Sequence, residues 1–123
     1  SSAGPKRIAL VTDAMSATGQ PDGDYILGSL PVKVVDGRAR LLAADGSLGA
    51  IAGSTLTMGR AVEFVTSVVG IPLGQVAVMA ATTPAKLHGL NEVGVIEEGH
   101  WADLCLTDAK GHLVRVIHRG EAV

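Results

Sequence analysis

The stretch "RIALVTD", residues 7–13, is an apolar run that ends at a single carboxylate, Asp13. The run has no polar alternation, which is typical of a strand that is buried on both faces in a parallel sheet. The small, Gly and Pro residues after it, 14–24, have the composition of a loop. The sequence therefore predicts an α/β fold with Asp13 at the carboxyl end of a buried strand.

Asp13 has two interpretations at such a position. In α/β folds the sites lie at the carboxyl ends of parallel strands, where a carboxylate can accept a proton from a polarised water and return it later. Aspartate is also common where a strand ends, because its side chain caps the next turn. The local sequence favours the cap, and both interpretations stay open at this point.

Two hairpins are predicted further along the chain. Residues 31–42 read as two strands joined by Asp36-Gly37, the preferred pair for a type I′ turn. Residues 102–120 read as two more strands around a turn, with period-2 alternation in the second strand. Asp103 at the start of this second hairpin is interpreted as a structural carboxylate that fixes the register of the strand by hydrogen bonding.

Between the hairpins, the pattern changes from loop to helix. Residues 43–54 read as a Gly-rich loop, and helices are predicted over about 55–89. Ser54 is available as the N-cap of the first helix, and Thr83 as the cap of the last one. Gly53 and Ser54 could instead present backbone N–H groups to an anion or a carbonyl oxygen, and both interpretations of Ser54 stay open.

Composition and charge exclude several classes of partner. Aromatic residues make up 2% of the chain and the formal net charge is -2, so there are few rings to stack on bases and no basic field for a phosphate backbone. No apolar stretch reaches the roughly 18 residues that span a bilayer. We therefore expect neither a nucleic acid nor a membrane partner. The single cysteine, Cys105, lies in an apolar run and is predicted to be a buried thiol in the cytoplasm.

The four histidines do not have the spacing of metal ligands. No two of them are separated by one, three or four residues on a predicted element, and each lies beside a turn or on a half-exposed strand. We interpret them as solvated side chains and expect no metal site built from this segment alone. They are His88, His100, His112 and His118.

Five motifs in a fixed order carry a family resemblance. They are "LVTDAMSATG" (10–19), "DGSLGAIAGSTLTM" (45–58), "ATTPAKLHGL" (81–90), "VGVIEEGHWADLCLTD" (93–108) and "VIHRGEAV" (116–123). In this order they resemble the C-terminal third of the N-acetylglucosamine-6-phosphate deacetylases, a family of the amidohydrolase superfamily. The pair formed by the first and second motifs is the most specific part of the resemblance.

The resemblance implies a metal-dependent (β/α)8 barrel with a small β-sandwich. Residues 1–92 would then form the C-terminal part of the catalytic barrel. Its last strand would be residues 7–13, an inserted hairpin would span about 31–42, and helices would span about 55–89. Residues 93–123 would supply strands of the β-sandwich.

The resemblance also implies a reaction and a role for individual residues. The reaction is hydrolysis of N-acetylglucosamine 6-phosphate to glucosamine 6-phosphate and acetate. On the family pattern, Asp13 takes a proton from the metal-bound water as it attacks the amide carbonyl, and then delivers a proton to the departing amine. The loop that lines the substrate pocket corresponds to Ile51, Ala52, Gly53 and Ser54.

The same resemblance implies the cofactor and the partners. The family uses a divalent metal, zinc or iron, held by a glutamate and two histidines from earlier strands, and these ligands have no counterpart in this chain. The segment alone is therefore expected to bind no metal and to be inactive. The implied partner is a small amino-sugar phosphate, and a homo-oligomer is expected for the full-length form.

Two other functions remain as alternatives. The "ADL" segment at 102–104 is shared across much of the superfamily, so the chain could belong to another amidohydrolase, for instance a cyclic-amide hydrolase. A different class is a non-catalytic interaction module, in which an exposed strand edge pairs with another chain.

Overall fold

The computed structural model describes residues 3–123, which form two compact units. The meander unit is Thr12–Thr57. The helix–hairpin unit contains the described residues up to Val11 together with Met58–Val123. Asp13 belongs to the meander unit, which therefore bears most directly on function.

The meander unit is built on one antiparallel sheet. Its strands are neighbours in sequence order: β1 (Gly23–Leu27), β2 (Leu30–Val35), β3 (Arg38–Leu42) and β4 (Leu48–Ile51). Between β2 and β3, Asp36 and Gly37 have φ angles of 51° and 67°. Positive φ at both central residues is what a type I′ turn requires. The Asp22 carboxylate accepts hydrogen bonds from the two N–H groups at 2.5 and 3.1 Å, so the predicted hairpin is confirmed and its turn is held by a side chain.

Strand β4 corrects the prediction that residues 43–54 are a loop throughout. Ile51 pairs with Arg40 of β3 across the sheet. The turn that leads into β4 is held by Asp45, whose carboxylate accepts from the N–H and hydroxyl of Ser47 at 3.0 and 2.6 Å. All four residues of β4 are exposed, and its two central residues are Gly and Ala, which are depleted in strands. Neither alternation nor composition therefore marks the strand in the sequence.

The core of the meander unit includes residues from the predicted loops. Met15 and Ala17, which precede β1, have relative exposures of only 7% and 1%, and they pack on the sheet. The loop after Asp13 is thus fixed by burial of apolar side chains. The buried members of this cluster are Met15, Ala17, Val32, Val34, Ala39 and Ala52.

The helices of the helix–hairpin unit lie within the predicted range of about 55–89. They are α1 (Met58–Ser67), α2 (Leu73–Ala77) and α3 (Thr83–Leu87), with a π-helical turn over Val78–Thr82. Residues 73–87 therefore form one uninterrupted helical run. Pro84 is tolerated because it comes after the π-helical turn, where the regular hydrogen-bond ladder that a proline interrupts is already altered. Thr83 does not cap a helix; its hydroxyl donates to the Pro5 carbonyl at 2.9 Å.

Helix α1 begins at Met58, three residues later than a cap at Ser54 would place it. Ser54 is therefore not the N-cap of α1, and that prediction is wrong. Its hydroxyl oxygen instead accepts a hydrogen bond from the Leu56 N–H at 2.9 Å, which closes a local turn. The competition between such short-range bonds and helical capping is common for serine.

Residues 7–13, the predicted barrel strand, lie in neither sheet of the described residues. Arg7 ends a short 3-10 turn, Pro5–Arg7, and residues 8–13 pair with no strand among the described residues. Leu10 N–H donates to the Met79 carbonyl at 2.9 Å, which attaches the run to the π-helical turn. The resemblance places the neighbouring barrel strands outside this chain, so the strand at 7–13 stays a prediction.

The second hairpin is confirmed, with one correction to its side chains. Strands β5 (Leu104–Thr107), β6 (Leu113–His118) and β7 (Glu121–Ala122) form an antiparallel sheet in sequence order. Asp103 accepts from the Arg119 N–H at 2.7 Å, so it has the structural role predicted for it. The prediction that Cys105 is buried is wrong: it is exposed, as is its neighbour Leu106 in β5.

Two further predictions concern membrane-spanning helices and the division into domains. No helix among residues 3–123 is both long and apolar enough to cross a membrane. The division into barrel residues 1–92 and sandwich residues 93–123 stays a prediction.

Candidate functional site

The turn at Asp13 and the loop at 51–54 lie side by side in the meander unit. Ala14 and Ser54 form a parallel β-bridge. The Ser54 N–H donates to the Asp13 carbonyl at 3.1 Å, and the Met15 N–H donates to the Ser54 carbonyl at 2.9 Å. The structure thus brings together the two segments that the sequence analysis singled out, although they are far apart in the chain.

Asp13 itself has an unusual backbone conformation. Its φ angle is +52°, in the left-handed region. For a residue with a Cβ this region costs about 1–2 kcal/mol, although aspartate tolerates it better than most. Strain of this kind clusters at active sites and ligand clamps, where the surrounding structure holds it in place. The positive φ of Asp13 therefore indicates that the surrounding structure constrains this residue.

The carboxylate of Asp13 does not cap the next turn. The residue is exposed, and no described residue donates a hydrogen bond to its side chain. The neighbouring Thr12 provides the cap instead, because its hydroxyl oxygen accepts from the Ala14 N–H at 3.3 Å. The capping interpretation of Asp13 is thus not what the structure shows. The carboxylate is left open to a ligand or to water.

Other aspartates of the chain behave differently. Four carboxylates accept hydrogen bonds from backbone N–H groups in turns: Asp22, Asp45, Asp103 and Asp108. Hydrogen bonds to the charged form favour that form. The pKa of Asp45 is lowered mainly by its hydrogen bond with the Ser47 side chain. The pKa of Asp103 is lowered mainly by the Arg119 N–H, and the pKa of Asp108 mainly by the His112 N–H. These carboxylates are structural, in contrast to Asp13.

The loop at 51–54 presents small groups and one backbone donor. Ile51 is exposed, Ala52 is buried, and the Ala52 N–H donates to the Ala39 carbonyl at 3.0 Å. Gly53 has a φ of +70°, and a Cβ there would lie 3.4 Å from the Met15 Cβ. The Gly53 N–H has no hydrogen-bond partner among residues 3–123. It can therefore donate to an oxygen of a ligand.

Ser54 is more fully used than the sequence suggested. Its N–H, its carbonyl and its hydroxyl all have partners within the meander unit. An anion bound by the Ser54 N–H is excluded while the bond to Asp13 persists. Ser54 therefore holds the loop in place. Of the two residues, Gly53 is the one whose N–H is unpaired among the described residues.

Sequence reasoning missed two threonines at this site. One is Thr12, which caps the turn at Asp13. The other is Thr18, whose hydroxyl donates to the Ser54 carbonyl at 3.3 Å. Thr12 had a signal in the sequence, because threonine hydroxyls commonly bond to the backbone two residues on. Thr18 had none, since its partner is distant in sequence.

The described residues do not form a metal centre. No group of three or more His, Cys, Asp and Glu side chains lies close enough to hold an ion in the part of the chain that the structure describes. His118 contacts Asp103 at 3.0 Å, and His112 contacts Glu63 at 3.4 Å and Asp108 at 3.8 Å. All of these side chains lie at the hairpin or on α1. Asp13 is a lone carboxylate, which can carry a proton but does not make a metal site by itself.

Comparison with known proteins gives a consistent result. The model of the amidohydrolase family matches residues 6–123. The chain is 35% identical over 118 residues to N-acetylglucosamine-6-phosphate deacetylase of Vibrio furnissii, covering 95% of this chain and 28% of the relative. It is 32% identical over 117 residues to N-acetylgalactosamine-6-phosphate deacetylase of Escherichia coli O157:H7, covering 94% of this chain and 30% of the relative.

Solved structures agree with these relatives. The crystal structure of N-acetylglucosamine-6-phosphate deacetylase from Thermotoga maritima matches with a TM-score of 0.79 and 40% identity, over 96% of this chain and 31% of that one. A variant of the Mycobacterium smegmatis enzyme, in complex with N-acetyl-D-glucosamine 6-phosphate, matches with a TM-score of 0.81 and 36% identity, over 97% and 31%. The chain spans less than a third of the length of each of these four proteins.

Proposed function

The chain belongs to the amidohydrolase family, and we propose that it is part of a deacetylase that hydrolyses N-acetylglucosamine 6-phosphate to glucosamine 6-phosphate and acetate. The predicted fold class is confirmed. These deacetylases consist of a (β/α)8 barrel joined to a small β-sandwich, and the chain has the α/β fold of the part that it matches. The names of the relatives support the proposed reaction.

The observation that carries the proposal is the open carboxylate of Asp13 beside the loop at 51–54. Asp13 is constrained at its backbone and unbonded at its side chain among the described residues. A group held in this way is suited to proton transfer, because its carboxylate is available to a substrate or water. We assign to Asp13 the role of general base and general acid.

Amide hydrolysis needs two proton transfers that one carboxylate can perform. Asp13 first accepts a proton from the water that attacks the acetyl carbonyl. It then donates a proton to the nitrogen, because an amine leaves readily only when protonated. The same group thus ends the cycle in the form in which it began.

The substrate pocket in this chain is assigned to Ile51, Ala52, Gly53 and Ser54. Small side chains let the backbone approach a sugar closely. The Gly53 N–H is the free donor of this loop in the described chain, and it is suited to bind an oxygen of the acetylated sugar. Ser54 maintains the spacing between this loop and Asp13 through its backbone bridge.

The metal is assigned to the complete enzyme and not to this chain. When bound, a divalent ion, zinc or iron, supplies polarisation of the attacking water and of the amide carbonyl. Since the described residues contain no suitable group of ligands, we expect this chain alone to bind no stoichiometric metal and to release no acetate.

The test is Asp13→Asn in the complete enzyme. Asparagine keeps the shape of the side chain but cannot accept and return a proton, so kcat should fall by about 10²- to 10⁴-fold. Substrate binding, measured by calorimetry, should stay within about threefold. The matched control is Asp36→Asn, at an exposed aspartate whose φ is also positive, and it should leave kcat unchanged. A near-normal rate for Asp13→Asn would remove Asp13 from the mechanism.

The galacto epimer is a second candidate substrate. Relatives that are 32–33% identical are named for N-acetylgalactosamine 6-phosphate. Measuring kcat/KM for both sugars in the complete enzyme decides between them. If neither sugar is turned over, hydantoin and dihydropyrimidine substrates are tested next. Cleavage of one of them would favour another amidohydrolase reaction, such as cyclic-amide hydrolysis. Cleavage of no substrate would favour a non-catalytic module.

A further inference from the structure

The turn that contains Asp13 is closed by the hydroxyl of Thr12. Its oxygen accepts from the Ala14 N–H at 3.3 Å, so the bond spans Asp13 from one side to the other. Ala14 N–H has no other partner among residues 3–123. Loss of the hydroxyl would remove the protein partner of this N–H, and with it one of the contacts beside the left-handed φ of Asp13. The Thr12 hydroxyl is therefore bonded to the backbone directly beside Asp13.

A second hydroxyl fixes the loop that faces this turn. Thr18 donates to the Ser54 carbonyl at 3.3 Å, and the same oxygen accepts from the Met15 N–H at 2.9 Å. Thr18 is itself anchored, because its N–H donates to the Met15 carbonyl at 3.0 Å and Ala17 beside it is buried. Among the described residues, the Thr18 hydroxyl is the one side-chain group of the segment 15–18 that forms a hydrogen bond with Ser54.

From these contacts we infer that Thr12 and Thr18 are positioning residues for the deacetylation. Thr12 sets the orientation of the Asp13 carboxylate, and Thr18 sets the position of the loop at 51–54 relative to it. This inference rests on the proposed function. It assigns to each hydroxyl a separate kinetic effect, because one acts on the proton carrier and the other on the substrate pocket.

The experiment uses the complete enzyme with N-acetylglucosamine 6-phosphate. Thr12→Val removes the hydroxyl at nearly constant shape, and we expect kcat to fall by about 10- to 100-fold, since small displacements of a reacting group cost that much. KM should change by less than about threefold. Thr18→Val should instead raise KM by about 5- to 10-fold and lower kcat by less than about threefold. The serine variants, Thr12→Ser and Thr18→Ser, keep the hydroxyl, so their kcat and KM should both stay within about twofold of wild type.

A matched control separates positioning from stability. Thr82 makes a comparable bond, with its hydroxyl donating to the Gly94 carbonyl at 2.6 Å, in the helix–hairpin unit. Thr82→Val should lower the melting temperature without the kinetic split. If Thr12→Val does not fold, Thr12→Ala and Thr12→Ser form the comparison, and kcat should differ between them by the same factor. Equal kcat for these two, or for Thr12→Val and wild type, would overturn the inference.

Failure of the proposed function has a different signature. Wild-type enzyme without deacetylase activity, or an Asp13→Asn variant with normal kcat, would refute the proposed reaction or the role of Asp13. An active enzyme that loses its rate in Asp13→Asn but keeps both constants in Thr12→Val and Thr18→Val would refute only the positioning role.

Discussion

The tripeptide Thr-Asp-Ala occurs twice in this chain, at 12–14 and at 107–109, each time after an apolar run. At the second site Asp108 caps the hairpin turn, and its carboxylate accepts from two backbone N–H groups at 2.8 and 2.9 Å. At the first site Thr12 makes the cap and Asp13 is left without a bond to its side chain in the described chain. One local sequence thus gives a structural carboxylate in one place and an open carboxylate in the other.

The difference lies in the residues that come after each tripeptide. After Asp108, the chain reaches Gly111, whose φ of +83° lets the turn close back on the carboxylate. After Asp13, Met15 and Ala17 are buried in the meander core, and Ser54 pairs with the backbone on both sides of Ala14. Burial and pairing with a distant loop direct the chain away from the Asp13 carboxylate. Tertiary contacts therefore decide which aspartate is left without a hydrogen bond to its carboxylate among the described residues.

The largest expected effect is the difference in kcat between the Asp13 and Asp108 variants. In the complete enzyme, Asp108→Asn should leave kcat within about twofold of wild type, whereas Asp13→Asn should lower it by about 10²- to 10⁴-fold. Asp108→Asn should instead speed hydrogen exchange in a peptide that covers 104–118, because the turn loses a charged acceptor. Similar kinetic losses in both variants would mean that the two aspartates do not differ in the way that their hydrogen bonds indicate.

Gly111→Ala tests the feature that lets Asp108 act as a cap. A Cβ at this position would lie 3.1 Å from the Thr66 hydroxyl and 3.3 Å from the Glu63 Cα, at a φ that side chains rarely adopt. We expect the free energy of unfolding to fall by about 1–3 kcal/mol in urea titrations.

The matched control for this change is Gly74→Ala. Gly74 lies in α2, where a Cβ would meet nothing within 4 Å. Alanine there should stabilise the protein by about 0.5–1 kcal/mol, because a helical glycine loses more backbone entropy on folding. If Gly111→Ala left the free energy of unfolding unchanged or raised it, as expected for this control, the turn would not depend on glycine.

The sequence predicted best those features that local chemistry decides. Asp36-Gly37 specifies its hairpin because both residues take positive φ readily, and turn composition was enough to predict the second hairpin and the role of Asp103. Prediction was wrong where neighbours distant in sequence intervene. Strand β4 exists through its pairing with β3, and the cap predicted at Thr83 is absent because a π-helical turn joins α2 to α3.

The candidate site shows the same division. Asp13 was found from its place after an apolar run and from the family resemblance, and its local sequence could not tell a cap from a reactive group. The Thr12 hydroxyl that makes the cap is a local contact. The contacts that hold this turn beside the loop at 51–54 involve Ser54 and Thr18, and no short window contains both segments. A resemblance that spans both segments was the only sequence signal that joined them.

The smallest expected effect is the pH dependence of the Asp108 turn. The His112 N–H, as the first cause, holds the pKa of Asp108 below its ordinary value in the folded protein, while the unfolded chain keeps that ordinary value of about 3.9. The folded form thus binds fewer protons, so the carboxylate stabilises the turn above the ordinary pKa and this contribution is lost as the pH falls through the lowered one.

Hydrogen exchange in the peptide that covers 104–118 measures this contribution. The difference in protection between wild type and Asp108→Ala should be full at pH 7 and should shrink as the pH is lowered below about 4. For Gly74→Ala, which removes no titrating group, the difference from wild type in its own helix should not change in this way with pH. A difference at Asp108 that is as large at about pH 2.5 as at pH 7 would mean that the charge of the carboxylate does not contribute to the cap. The contrast between Asp108 and Asp13 would then rest on geometry alone.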